Sequence, residues 1–152
     1  MRTVHDDDGR RYLLLKRSSE SSLVRDPTTG EERYLPNDDL TADEEDTDAL
    51  GLAAAAVPDT VRRVLSACRD DRSLGLLLEL DRRGPVPARA LMEYDLCESD
   101  VLGLVGEFRA AGLVVEADVG GERGYDVTDD AREALAVLRS ERTAQSRTGD
   151  EG

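Results

Sequence analysis

The feature that most constrains how this 152-residue chain can fold is a succession of apolar periodicities after residue 59, cut at intervals by glycine and proline. Val61, Val64, Leu65 and Cys68 fall at i, i+3, i+4 and i+7 behind a capping Asp59 or Thr60, which predicts a helix with one apolar stripe. Leu74, Leu77, Leu78 and Leu80 predict a second helix ending at Arg83-Gly84-Pro85, because glycine terminates a helix and proline cannot extend one. Pro87–Tyr94 reads as a short third helix with Ala88, Leu91 and Met92 inward, followed by the turn Asp95-Leu96-Cys97. Ser99 and Asp100 open a fourth helix whose Val101, Leu104, Val105 and Phe108 share a face, and Ala110-Ala111-Gly112 closes it. Leu113–Ala117 and Tyr125–Val127 are β-prone runs joined by a glycine-rich loop over 118–124. Thr128 caps a last helix with Ala131, Ala134, Leu135 and Leu138 on one side.

Upstream the periodicity changes. Residues 1–40 read as a small antiparallel β unit, a meander of three or four strands. Asp8-Gly9 separates Thr3–His5 from Arg11–Lys16, and Asp26-Pro27-Thr28-Thr29-Gly30 separates Ser22–Arg25 from Glu32–Leu35; both breaks supply the backbone angles a tight turn needs. Its few apolar residues make the unit marginal alone. Residues 41–58 read as an acidic, then alanine-rich linker, since TADEEDTD over 41–48 carries five acids and no base. Residues 59–140 form the main domain, and 141–152 are expected to be a disordered tail.

Charge narrows the functional classes. Asp and Glu number 34 against 20 Lys and Arg, a net of −14, and 19 of those bases are arginine. No surface built throughout to attract nucleic acid or anionic lipid is compatible with that balance, so any such contact rests on a local patch. Self-repulsion at this charge is costly at low ionic strength and small in molar salt, where the screening length is about 3 Å. The acid-rich, lysine-poor composition resembles that of salt-in halophilic archaea, which implies a high-salt cytoplasm; a GC-rich genome encoding an ordinary acidic protein is the alternative. Cys68 and Cys97 stand far apart without a CxxC, and His5 is the one histidine, so no zinc site is expected and both thiols read as buried and reduced. Ala49–Val57, the longest apolar stretch, is too short to span a bilayer, and no signal-peptide pattern opens the chain, so a cytoplasmic location without membrane contact is expected. The motifs of serine hydrolases, P-loop enzymes and dinucleotide binders are absent, and Asp6-Asp7-Asp8 reads as a solvated turn; neither catalysis nor a cofactor is expected.

Helix, glycine break, short helix, three-residue turn, helix and two-stranded hairpin is the order of a winged helix-turn-helix. Residues 72–139 resemble the MarR-like winged-helix regulators of archaea and bacteria. The resemblance is carried by Asp81-Arg82-Arg83-Gly84-Pro85-Val86, Ala88-Arg89-Ala90-Leu91, Glu98-Ser99-Asp100-Val101 and Glu107-Phe108-Arg109-Ala110-Ala111-Gly112-Leu113-Val114. It extends through Gly120-Gly121 and Val127-Thr128-Asp129-Asp130-Ala131-Arg132-Glu133. The fold class it implies is α+β, a winged helix-turn-helix domain preceded by a small antiparallel β meander. It further implies that Ser99–Ala111 enters the major groove of double-stranded DNA and that the chain is a transcriptional regulator.

The residues singled out for DNA contact are Arg89, Ser99, Asp100, Gly103, Arg109 and Arg123. Arginine suits phosphate because its planar fork donates two hydrogen bonds together. Against this, the face opposite the core offers Asp100, Gly103, Gly106, Glu107 and Ala110, which makes a poor groove reader, and Thr60–Ser140 holds 11 bases against 16 acids, a net of −5. Solvated pairing of these arginines with neighbouring acids is therefore weighed equally. A protein-interaction adaptor on the same fold, with a partner at the N-terminal β unit, is the competing reading. A homodimer is expected through the helix at 61–68 or the one at 129–139, since each carries an apolar face that the small core does not fully consume.

Overall fold

The computed structural model describes residues 1–44 and 48–149, with side chains described as far as residue 140. The chain is α+β and divides into two compact units, Met1–Pro58 and Asp59–Gly152.

The first unit is an antiparallel sheet of five strands, β1 (Arg2–His5), β2 (Arg11–Arg17), β3 (Ser21–Arg25), β4 (Glu32–Pro36) and β5 (Thr41–Ala42), in the order β4-β3-β2-β1-β5. Alternation places Val4, Tyr12 and Val24 on one face, where they are buried, with Val4 opposite Tyr12 and Leu14 opposite Val24. The two foreseen turns form: Gly9 and Gly30 take φ of 82° and 75°, and the carboxylates of Asp6 and Asp26 accept the backbone N–H groups that the turns leave over. The stretch read as a linker is in part structured. A 3-10 helix, Asn37–Asp39, leads into β5, which returns to pair with β1, and Ala49–Ala53 forms the short helix α1. A two-residue strand is too short to show periodicity, which is why the sequence does not reveal it.

What holds that last strand is Asp43. Its side chain is 6% exposed, accepts from Thr3 Oγ1 at 2.6 Å, meets His5 Nδ1 at 2.6 Å and lies 3.6 Å from Arg11 Nε. Burial disfavours the charged carboxylate, but the hydrogen bonds from Thr3 and His5 and the charge of Arg11 outweigh it and hold the pKa below its ordinary 3.8. A depressed folded pKa contributes stability that is complete above the unfolded value and is lost as pH falls through the folded one. The stability gap between wild type and Asp43→Asn in urea titrations should therefore be widest at neutral pH and shrink once the pH falls below about 4.

The second unit is a winged helix-turn-helix. Its elements are α2 (Asp59–Ala67), α3 (Asp71–Arg83), β6 (Val86–Pro87), a 3-10 helix (Ala88–Glu93), α4 (Glu98–Ala110), the wing strands β7 (Val114–Val119) and β8 (Glu122–Val127), and α5 (Asp129–Gly149). Leu77, Leu80, Leu91, Val101, Phe108, Leu113 and Leu135 are at most 1% exposed and form its core. A reciprocal capping box between Asp70 and Ser73 opens α3, and Thr128 Oγ1 accepts from Ala131 N to start α5.

Several expectations need correction. Leu65, Met92 and Leu138, expected inside, are exposed. The fully buried Ala131 and Ala134 let α5 approach closely, which narrows the stripe it shares with α2 and leaves Leu65 and Leu138 at its margin. The third helix is 3-10 rather than α, and in it Ala90 and Leu91 both turn inward while Met92 turns outward. Cys97 is exposed at the cap of α4 and Cys68 is half-buried. The wing loop is far shorter than expected: strands run to Val119 and Glu122, and Gly120 and Gly121, at φ 62° and 86°, make a two-residue turn suited to the strands' twist. Residues 141–149, read as a tail, continue α5 as helix, since no glycine or proline interrupts the run before Gly149; residues 150–152 lie outside the described residues.

One strand contact was not foreseen. Val86 pairs with Tyr125 and Pro87 with Gly124, giving a three-stranded sheet in the order β6-β8-β7. A Cβ at Gly124 would stand 2.2 Å from the Val86 carbonyl oxygen, so only glycine permits this approach. Gly124→Ala should release β6 from the wing and lower the urea midpoint by the equivalent of about 2 kcal/mol or more, a core-sized loss from a position near the wing.

Candidate nucleic-acid interface

α4 and the wing carry most of the residues singled out from the sequence, and each is built by a simple division of faces. Val101, Val105 and Phe108 commit one side of α4 to the core. At 3.6 residues per turn the opposite line is Ser99, Gly103, Gly106 and Ala110, all exposed. Asp100 and Glu107 flank this line on one side, and Leu102 and Arg109 on the other. Among the described residues, and setting aside α4's own backbone and the flanking residues, nothing lies within 4 Å of where a Cβ would sit on Gly103 or Gly106, so packing against other elements does not require either glycine. Each lowers helix stability by about 0.5–1 kcal/mol relative to alanine.

All six residues singled out from the sequence are exposed, and the structure brings the arginines among them to carboxylates rather than leaving them bare. Arg89, on the 3-10 helix, donates from Nε to both oxygens of Glu122 at 3.0 and 3.1 Å. Arg109 NH1 lies 3.3 Å from Glu116 Oε1, and the same oxygen accepts from Arg123. Side chains alternate across a strand, so Glu116 and Arg123 share one face of the wing and Glu122 stands on the other. The wing is thus held on both faces by arginine–glutamate pairs. Hydrogen bonding to Glu122 raises the pKa of Arg89, as hydrogen bonding to Glu116 raises that of Arg123. Both bases stay charged at any physiological pH.

The remaining candidates lie on α4. Ser99 meets Cys97 Sγ at 3.1 Å beside the helix cap. Asp100 and Gly103 line an open groove of about 340 Å³ against the start of α3, with Arg69, Arg72, Ser99 and Glu107. Arg69 crosses this groove to pair with Glu107, a contact the sequence reading did not anticipate because the partners lie 38 positions apart. Two further upstream arginines are held too: Arg63 NH2 donates to Asp130 at 2.6 Å, and Arg83 donates to the Tyr94 hydroxyl at 3.1 Å. Among the described residues no group of three or more His, Cys, Asp or Glu could hold a metal ion, and no helix is long and apolar enough to cross a membrane.

A second exposed surface is apolar. Leu65, Cys68, Leu74, Leu78 and Leu138 line a groove of about 510 Å³ between α2, α3 and α5, edged by Arg69, Arg139, Asp70 and Asp71.

A family model described as a family of unknown function, DUF7346, matches residues 1–139, a span that runs through both units. The chain belongs to that family. No curated protein matches it. Among solved structures it is similar to an ArsR-like transcriptional regulator from Rhodococcus sp. RHA1, at 20% identity and a TM-score of 0.43, over 60% of this chain and 88% of that one. It is also similar to a crystal structure titled as an ArsR family transcriptional regulator, at 16% identity and a TM-score of 0.41, over 60% of this chain and 94% of the other.

If Gly103 and Gly106 serve a partner and not the fold, filling them should strengthen the isolated chain. Gly103→Ala and Gly106→Ala should each raise stability in thermal or urea melts by about 0.5–1 kcal/mol.

Proposed function

We propose that the chain is a DNA-binding transcriptional regulator of a high-salt cytoplasm, with α4 laid toward the duplex and the wing beside it. The observation that carries this reading is that three exposed arginines stand on three separate elements of the second unit: Arg89 on the 3-10 helix before α4, Arg109 on α4 and Arg123 on the wing. Planar guanidinium groups in that arrangement suit phosphates along a backbone, and the small residues Ser99, Gly103, Gly106 and Ala110 let a duplex approach the helix closely. Asp100 and Gly103 are contacts of position rather than of charge. The net −14 is tolerable where salt screens it, and there counterion release contributes little to affinity.

The regulator acts as a homodimer through the groove between α2, α3 and α5. Its lining is apolar and its edge carries two arginines and two aspartates, so it is a place where two copies of a strongly acidic chain can meet without net repulsion.

The adaptor reading is favoured by a different observation: Leu102 on α4 and Val115 on the wing are 54% and 48% exposed, which suits a protein partner better than a phosphate backbone. A mobility-shift assay in molar KCl with genomic fragments separates the two. The regulator retards a subset of fragments, and Arg89→Ala or Arg123→Ala weakens that binding by about tenfold with the fold unchanged by circular dichroism. Absence of retardation for every fragment would leave the adaptor.

A further inference from the structure

We propose that Glu116 and Glu122 are built-in competitors for phosphate, carboxylates that occupy the arginines beside both faces of the wing until nucleic acid displaces them. The inference rests on the DNA-binding reading and adds a control to it. Three arginines point to it, each held by one of two wing glutamates: Arg109 and Arg123 by Glu116, Arg89 by Glu122.

The geometry matters because a carboxylate and a phosphate ask the same of a guanidinium, a pair of oxygens in the plane of its fork. Arg89 already spends its Nε–H on both oxygens of Glu122. The carboxylate sets a negative charge beside the fork, so a phosphate approaching the same guanidinium is repelled until the glutamate gives way, and binding proceeds as an exchange. The pairs are exposed, with Arg89 and Arg123 at 74% and 66%, so each is weak and the exchange is easy. Glu116 is the more consequential of the two, because one carboxylate restrains an arginine on α4 and another on the wing.

The exchange leaves a signature in salt dependence. Binding that neutralises phosphates with free bases releases counterions, about 0.9 per phosphate in the slope of log K against log salt. An arginine that leaves a glutamate frees that glutamate to take up a cation, so the release is partly cancelled. Three arginines and two glutamates then behave as about one net charge. Affinity falls gently with salt, which suits a protein that binds DNA where salt is abundant.

The test compares wild type with Glu116→Gln/Glu122→Gln, which keeps size and one acceptor oxygen at each position and removes the two charges. Glu98→Gln serves as a control that removes an exposed charge from α4 without releasing an arginine. Binding of a random-sequence duplex is followed by fluorescence anisotropy across a salt series, and each protein is run on a heparin column. The double variant should bind about tenfold tighter at about 0.1 M salt, with a slope steeper by about 2, and should be retained on heparin more strongly than wild type. Glu98→Gln should show neither change of slope nor comparable retention. Unchanged or weaker duplex binding in the double variant, or an equal gain in Glu98→Gln, would overturn the proposal while leaving DNA binding by the wild type intact. Stronger heparin retention with no duplex bound by any form would instead sink the DNA reading and keep the clamp.

Discussion

The burial of one side of α4 is the constraint on which the second unit depends. Phe108, the single phenylalanine of the chain, is fully buried with Leu77, Leu113 and Leu135, and truncating such a side chain to alanine removes about 3–5 kcal/mol, a large share of what a domain of this size possesses. Because Val101, Val105 and Phe108 fix the rotation of α4, the opposite line of Ser99, Gly103, Gly106 and Ala110 is fixed as well. The inner face needs bulk to fill the core. The outer face carries almost none, and that contrast lets the helix meet something outside the chain.

Much of this was legible in the sequence. The order of elements in the second unit follows from apolar spacing and from the breaks at Gly84-Pro85 and Gly112, since those residues act locally on the backbone. The same holds for the first four strands, whose turns are marked by Asp8-Gly9 and Pro27…Gly30. What was not legible depends on partners far away in the chain. Strands β5 and β6 are two residues each and exist only because β1 and β8 offer them edges. Leu138 fits the helical period of α5 as well as Leu135 does, and only the depth of α2 against it decides which of them is covered.

The candidate interface divides in the same way. Exposure of Arg89, Ser99, Asp100, Gly103, Arg109 and Arg123 follows from helical phase and from the hairpin, which the sequence reports. Their electrostatic state does not. Arg89 and Glu122 are 33 positions apart, and nothing local distinguishes a glutamate that pairs with a distant arginine from one that faces solvent. A charge of −14 spread over 152 residues puts acids within reach of many surface arginines, so pairing is a common outcome here.

The two-residue turn at Gly120-Gly121 carries a consequence for reach. With strands of six residues each and no side chain at the tip, the wing is a stiff ribbon of roughly 20 Å that ends in bare peptide groups. Such a blunt end can slip into a narrow cleft and feel its width through main-chain atoms, yet it has nothing with which to tell one chemical letter from another. Discrimination at that end comes from the contour of whatever it enters.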